Sequence, residues 1–456
     1  MNKDEAFKLI LDGKKAQAAR QKLISSTPRS AEAGEAGAKL AQEIVQTVSL
    51  PHPIYIESAQ GGHMTDLDGN TYIDTSMGFG PMVLGHRPPE VVAALEDQVK
   101  KGWLHGLPTP LQPELGEILR EASPSSDQVV FCNTGTEATT YAMRAARAFT
   151  GKDRIGTFDG CYHGAHDYAL IFANPVGPRR EPEPMSAGGG IPNVVRDDTM
   201  LKLPYRDDAA FDLIRKHKDE LAAVFIEPSQ NSNPRLDCGE FLQGLRDVCT
   251  ECDVVLGFDE VVTGFRIAYG GAQEYYGITP DITSYGKALG GGTPIGAVGG
   301  RDDIMNGFSG KNGATAFFSG GTFSGNPLTM AAGIAHVSAM RDRKDTLYPY
   351  LMEQGNRMAS EINTFCEENE IPARVMNAGS KFHLRFGAKP IEGSFDFTDE
   401  YRWAEREFYV HLLAQGVIVP GVHLAFLCEA HTPEDVDTII AGFKQSFLDV
   451  REDGLI

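Results

Sequence analysis

Apolar residues are arranged in two ways along this chain, and each arrangement predicts a different kind of element. Through the middle, short apolar runs recur at residues 221–226 (LAAVFI) and 254–258 (VVLGF), with β-prone segments at 128–132 (QVVFC) and 282–285 (ITSY). Runs of this length, rich in β-branched residues and without polar alternation, predict strands buried on both faces, as in a parallel sheet covered by helices. Between them the spacing becomes helical. Over 89–102, Val91, Val92, Leu95 and Val99 share one side, and residues 139–149 (TTYAMRAARAF) follow the same rule. Alternating strand and helix signals predict an α/β architecture with a mostly parallel sheet.

The flanks read differently. Residues 1–48 are rich in Ala, Lys, Glu and Gln and predict two helices interrupted near 25–29, an arm of the kind that packs on a partner. Residues 54–74 alternate around Gly61-Gly62 and Asp68-Gly69-Asn70, which predicts a strand meander. From about residue 331 the pattern is helical. It turns to strands near 374–385 and 417–428 and closes with a helix over 433–448. Residues 171–198 cluster Pro and Gly without a hydrophobic period and predict a long surface loop, a common setting for a lid.

Composition narrows the class. A chain of 456 residues with 41% hydrophobic content can fill more than one lobe. A formal charge of −20 without a long basic run argues against nucleic acid or an anionic membrane as partner. The early acids of MNKDEAFKLILDGKK and the absence of a long apolar run predict a cytoplasmic protein. Seven scattered cysteines lack framework spacing; Cys249 and Cys252 form a lone CxxC in a stretch that reads as helix, which favours buried helix cysteines over zinc or redox duty.

Candidate chemistry concentrates at the ends of two predicted strands. The 254–258 run delivers Asp259 and Glu260 at its C-terminal end, where open α/β sheets bind ligands. The 282–285 run ends in Gly286 and Lys287. A carboxylate that keeps a pyridine nitrogen protonated and a lysine that holds an aldehyde as a Schiff base are what pyridoxal phosphate requires. A Walker-B strand is the rival reading, but no Gly-Lys pair here is followed by Ser or Thr. GxGxxG is likewise absent, which disfavours a nicotinamide enzyme. Residues 133–138 (NTGTEA) place a glycine turn before a helix, and read equally as a phosphate cradle or a capping box. His163 and His166 have no further ligand cluster to make them a metal site.

Residues 258–300, FDEVVTGFRIAYGGAQEYYGITPDITSYGKALGGGTPIGAVGG, resemble the cofactor segment of the class III aminotransferases, and within them the glutamate-1-semialdehyde aminomutase branch. The resemblance runs from about residue 54 to residue 431. It implies the fold-type-I pyridoxal phosphate architecture, with a large cofactor domain over 79–335 and a smaller α+β domain built from 1–78 and 336–456. It implies further that Lys287 and Asp259 are the catalytic pair and that Gly135 and Thr136 hold the phosphate. Tyr162 would stack on the pyridine ring with His163 beside it, and Val261 would pack on the opposite face. Gln230, in EPSQ, would bond the cofactor's phenolic oxygen. Thr322, in GGTFSGNP, would reach the phosphate of the neighbouring subunit's cofactor, so a homodimer is implied, with the 78–86 loop at its interface. Substrates would be an amino donor and a carbonyl acceptor. Two segments depart from the mutase branch: 171–198, its gating loop, and 24–52, where its substrate-carboxylate arginine lies and Arg29 matches only loosely. These departures predict a transaminase using an external acceptor, with the intramolecular aminomutase as the alternative.

Overall fold

The computed structural model describes residues 3–40, 50–387, 391, 393–397, 399–419 and 424–456. The chain divides into two compact units: residues 89–348 with 393–395, and residues 1–88, 349–392 and 396–456. The sequence pattern places the larger one over 79–335, so its boundaries lie about ten residues further along the chain than expected.

Seven strands build the sheet of the larger unit: β1 (Gln128–Cys132), β2 (Arg154–Phe158), β3 (Met200–Leu203), β4 (Leu221–Ile226), β5 (Val255–Asp259), β6 (Ile282–Gly286) and β7 (Gly296–Gly300). Their spatial order is β1-β7-β6-β5-β4-β2-β3. All neighbouring pairs from β6 to β3 are parallel, and β7 alone runs against its neighbours β6 and β1. Side-chain alternation explains why uninterrupted apolar runs were needed. Val224, Ile226, Leu256 and Phe258 enter one core with Leu242, Leu245 and Val248 of helix Gly239–Cys252. Ala223, Phe225 and Val255 enter the other with Ala138, Ala142 and Ala145 of the helix α1 (Gly135–Thr150). Each fully buried Val, Leu, Ile or Phe contributes about 1.5–3 kcal/mol relative to exposure, so both faces must stay apolar.

Cys249 and Cys252 are buried helix residues, and burial raises both thiols. The 171–198 stretch departs from expectation: strands Ile171–Ala173 and Pro184–Ser186 pair antiparallel within it, and a π-turn spans Val195–Thr199. Backbone pairing with its own partner made up for the missing hydrophobic period.

The other unit carries the expected meander, Ile56–Gln60, His63–Asp66 and Thr71–Asp74. Its N-terminal arm is a correction. Three helices are described, Lys3–Asp12, Lys14–Ser26 and Pro28–Leu40, and residues 41–48 of the predicted pair lie outside the described residues. The predicted break falls at Thr27. A second break comes at Gly13, where Asp453 from the far end of the chain accepts from the N–H groups of Lys15 (3.1 Å) and Ala16 (2.7 Å) and caps the middle helix. No helix among the described residues is long and apolar enough to cross a membrane.

Candidate active site

Because β1, β2, β4, β5 and β6 point the same way, their C-terminal ends deliver Thr134, Asp159, Glu227, Asp259 and Lys287 to one edge of the sheet. Asp259 closes β5 opposite Ser284 of β6, and Lys287 follows Gly286 just beyond. The Asp259 carboxylate is buried. Its Oδ2 accepts from His163 Nδ1 at 2.7 Å and its Oδ1 from the Val261 N–H at 3.1 Å. A carboxylate only accepts, so His163 carries its hydrogen on Nδ1. His163 Nε2 is buried and has no hydrogen-bonding partner among the described residues. Glu260, the adjacent acid, serves the scaffold: it accepts from Ala272 N at 2.6 Å and Thr263 Oγ1 at 2.9 Å.

Lys287 is half-buried and sits at φ +45°, in the left-handed region that side chains occupy at a cost. Burial pushes its amine down to about 8, assisted by the positive charge of Arg266 and opposed by Glu227 and Asp259. Since a lysine is reactive only when neutral, lowering the pKa from 10.5 to about 8 increases the neutral fraction near pH 7 by roughly 300-fold. The rate at which cofactor-free protein captures pyridoxal phosphate should therefore rise with pH and level off above about pH 8. A stopped-flow pH series that kept climbing toward pH 10 would refute the lowered amine.

Next to His163, the Tyr162 ring is 49% exposed, unusual for so large an aromatic residue beside a buried carboxylate. Its N–H donates to Glu227 Oε2 at 3.1 Å, which fixes the backbone under the ring. Burial raises its phenol, with Asp259 and Glu227 adding to the effect.

At the start of α1, Thr134 Oγ1 caps the Glu137 N–H (3.0 Å) and Glu137 Oε2 accepts from the Asn133 N–H (2.6 Å). The cap therefore forms without using Gly135 or Thr136, whose N–H groups lie in the first turn where no intrahelical carbonyl serves them. A Cβ on Gly135 would lie 2.8 Å from Val261 Cγ1, and one on Gly286 would lie 3.4 Å from the same atom. Val261 thus forms a floor between the α1 N-terminus and the Lys287 turn. Thr136 Oγ1 accepts from the Ala165 N–H at 3.2 Å, which ties the 162–165 loop to the same turn.

Gln230 is buried and turns to the backbone, with Nε2 donating to Asp159 O at 2.5 Å. Its neighbour Asn231 donates to the Glu227 carboxylate. Thr322 is exposed on a loop that the α1 side chains hold: Tyr141 Oη donates to Gly320 O at 3.1 Å and Arg144 to Phe318 O at 2.6 Å. His166 bonds Thr139 Oγ1 at 3.2 Å and is pushed down to about 4 by burial. Arg29, the loose match to the mutase branch's carboxylate arginine, lies in the other unit and donates its guanidinium to Leu67 O. Two residues escaped sequence reading. Glu227 follows β4 as Asp259 follows β5, so the strand-end rule could have found it; nothing local marks Arg266 as a buried cation.

A lysine with a lowered pKa, a buried carboxylate, an exposed aromatic face and a glycine-floored helix N-terminus at the strand ends of a parallel sheet define a fold-type-I pyridoxal phosphate enzyme. The family follows from comparison: the model described as Aminotransferase class-III matches residues 44–436, and the chain belongs to this family. A glutamate-1-semialdehyde 2,1-aminomutase from Methanococcoides burtonii is 40% identical over 400 residues, 86% of this chain and 92% of that protein. An omega-transaminase from Sphaerobacter thermophilus has a TM-score of 0.83 at 31% identity, covering 92% of this chain and 98% of its own. A transaminase solved with PLP bound has a TM-score of 0.82 at 28% identity, covering 93% and 98%. The cofactor is pyridoxal phosphate. The residues fit such a group: Tyr162 offers a half-exposed flat face beside buried Asp259, and Gly135, close against Val261, opens a helix whose first-turn N–H groups the cap leaves available.

Proposed function

We propose that this enzyme moves an amino group between carbon atoms at the 259–287 site, and the observation that carries this is the buried Asp259–His163 pair facing the lowered amine of Lys287. Bound pyridoxal phosphate supplies the electron sink. Asp259, held in place by His163 and the Val261 N–H, would keep negative charge at the ring nitrogen. Tyr162 and Val261 would bracket the ring, and the first-turn N–H groups of Gly135 and Thr136 would hold the phosphate. Lys287 Nζ would anchor the cofactor, and its lowered amine would hold and move the proton that amino transfer shifts between carbons. Gln230 is assigned to the phenolic-oxygen side through the 159–162 turn that it braces.

Two routes share these parts. The 40% identity to a named aminomutase over most of the chain favours intramolecular transfer, and we take that as the leading reading in place of the external-acceptor reaction read from the sequence. The second reading keeps a specific observation: the proline- and arginine-rich 171–198 segment carries a hairpin over 171–186, and Arg29 is committed to Leu67 O. Incubation with glutamate 1-semialdehyde alone separates them. Conversion to 5-aminolevulinate without a keto acid is expected of a mutase. Turnover only when donor and keto acid are both supplied would establish the transaminase.

We also assign Thr322 to the phosphate of a partner subunit's cofactor, in a homodimer with isologous symmetry. Its exposure on a loop held by α1 supports this. Mixing Lys287→Ala and Thr322→Ala subunits should restore activity in the heterodimer, where one site bears neither defect. Mixtures no more active than the parents would exclude the shared site.

A further inference from the structure

The turn that carries Lys287 is held from behind by a residue that the reaction has not yet used. Lys287–Gly290 is a single 3-10 turn, entered at φ +45° by Lys287 and left at φ +57° by Gly291. A lysine at positive φ persists only where its surroundings impose it. The helix Pro327–Asp342 (α2) lies directly against this turn. A Cβ on Gly291 would fall 2.8 Å from His336 Cβ, and one on Gly333 would fall 2.8 Å from Leu289 O. Such an approach of backbone to helix is open only to glycine.

His336 stands at the centre of this contact, 1% exposed. Its Nδ1 lies 2.7 Å from the carbonyl oxygen of Ala288, the residue after Lys287. A carbonyl only accepts, so Nδ1 carries the hydrogen. Burial pushes the imidazole down to about 4, so it is neutral and its Nε2 is bare. That nitrogen is buried without a partner among the described residues. Buried polar atoms are nearly always satisfied, so this nitrogen stands out beside the well-formed Nδ1 bond. The Ala288 carbonyl also accepts from the Gly291 N–H, at 3.3 Å.

We propose that His336 is a positioning residue for Lys287: its Nδ1–H pins the Ala288 carbonyl and thereby holds the positive-φ turn that aims the lysine amine at the Asp259 side of the site. The inference rests on Lys287 being the lysine that carries the cofactor. Without the donor, the 288 peptide is free to rotate, Lys287 relaxes toward negative φ, and the amine loses its fixed setting relative to Asp259.

The test uses the holoenzyme and two variants. His336→Phe fills the space without a donor, and His336→Asn keeps an N–H close to the place of Nδ1. The readouts are the pH midpoint of the bound cofactor's absorbance change and the division of the effect between kcat and KM. His336→Phe should move the midpoint by about half a unit or more and lower kcat about ten-fold with KM little changed, the signature of a reaction step lost without loss of binding. His336→Asn should keep the wild-type midpoint and most of kcat. A phenylalanine variant with wild-type midpoint and kcat, or an asparagine variant displaced as far as the phenylalanine one, would overturn the proposal. Should His336→Phe fail to fold, His336→Leu is read by the same criteria. Borohydride reduction of the wild type, done first, shows whether Lys287 carries the cofactor, so failure of that assignment is seen separately.

Discussion

Lys287→Ala is expected to lower amino transfer by about 10⁴-fold or more, since on the proposed roles it removes both the anchoring nucleophile and the proton carrier from one site. Lys202, the other buried lysine near this end of the sheet, donates to Thr157 Oγ1 at 2.9 Å and Phe158 O at 3.2 Å. Its amine is also lowered to about 8 by burial, so low pKa alone does not make a catalytic lysine. What distinguishes Lys287 is its place after a strand end that faces Asp259. The purified variant should fold with the wild-type circular dichroism spectrum and lack the stable visible absorbance of the parent. A variant that kept both colour and turnover would move the chemistry to another residue.

Asp259→Asn is expected to cost about 10²–10⁴-fold in the rate of the chemical step while leaving cofactor anchoring at Lys287 intact. The charged oxygens now accept from His163 Nδ1 and from the Val261 N–H. An amide can satisfy only one of these donors through its oxygen, so one buried N–H loses its acceptor, at about 1–3 kcal/mol of stability. The rate loss has a separate origin, since a neutral amide no longer favours a proton on the pyridine nitrogen. Single-turnover kinetics and thermal melting read the two effects independently. Wild-type single-turnover rates would show that Asp259 is structural only.

The strand ends were legible because hydrophobic patterning and ligand chemistry coincide there. Residues 128–132 and 221–226 were read with their boundaries in place, and 254–258 was displaced by one residue because Asp259 stays in the ladder opposite Ser284. The glycine turn at Gly135 left two readings open, and geometry reconciles them: Thr134 and Glu137 make the cap while Gly135 and Thr136 remain available. Other features depend on distant partners. The break at Gly13 owes its cap to Asp453, and His336 acts on a turn 48 positions away. Helix Arg402–Ala414 escaped notice because buried Glu407 and His411 interrupt its apolar stripe; Glu407 is there to pair with Arg20, whose Nη2 lies 2.7 Å from Oε2.

The central claim, that Lys287 facing the Asp259–His163 pair makes this chain an amino-group transfer enzyme, is tested most directly by borohydride reduction of the holoenzyme followed by peptide mapping. The pyridoxyl group is expected on Lys287 and on no other lysine. Its appearance on Lys202 or elsewhere, or its absence from a yellow and active preparation, would contradict the assignment.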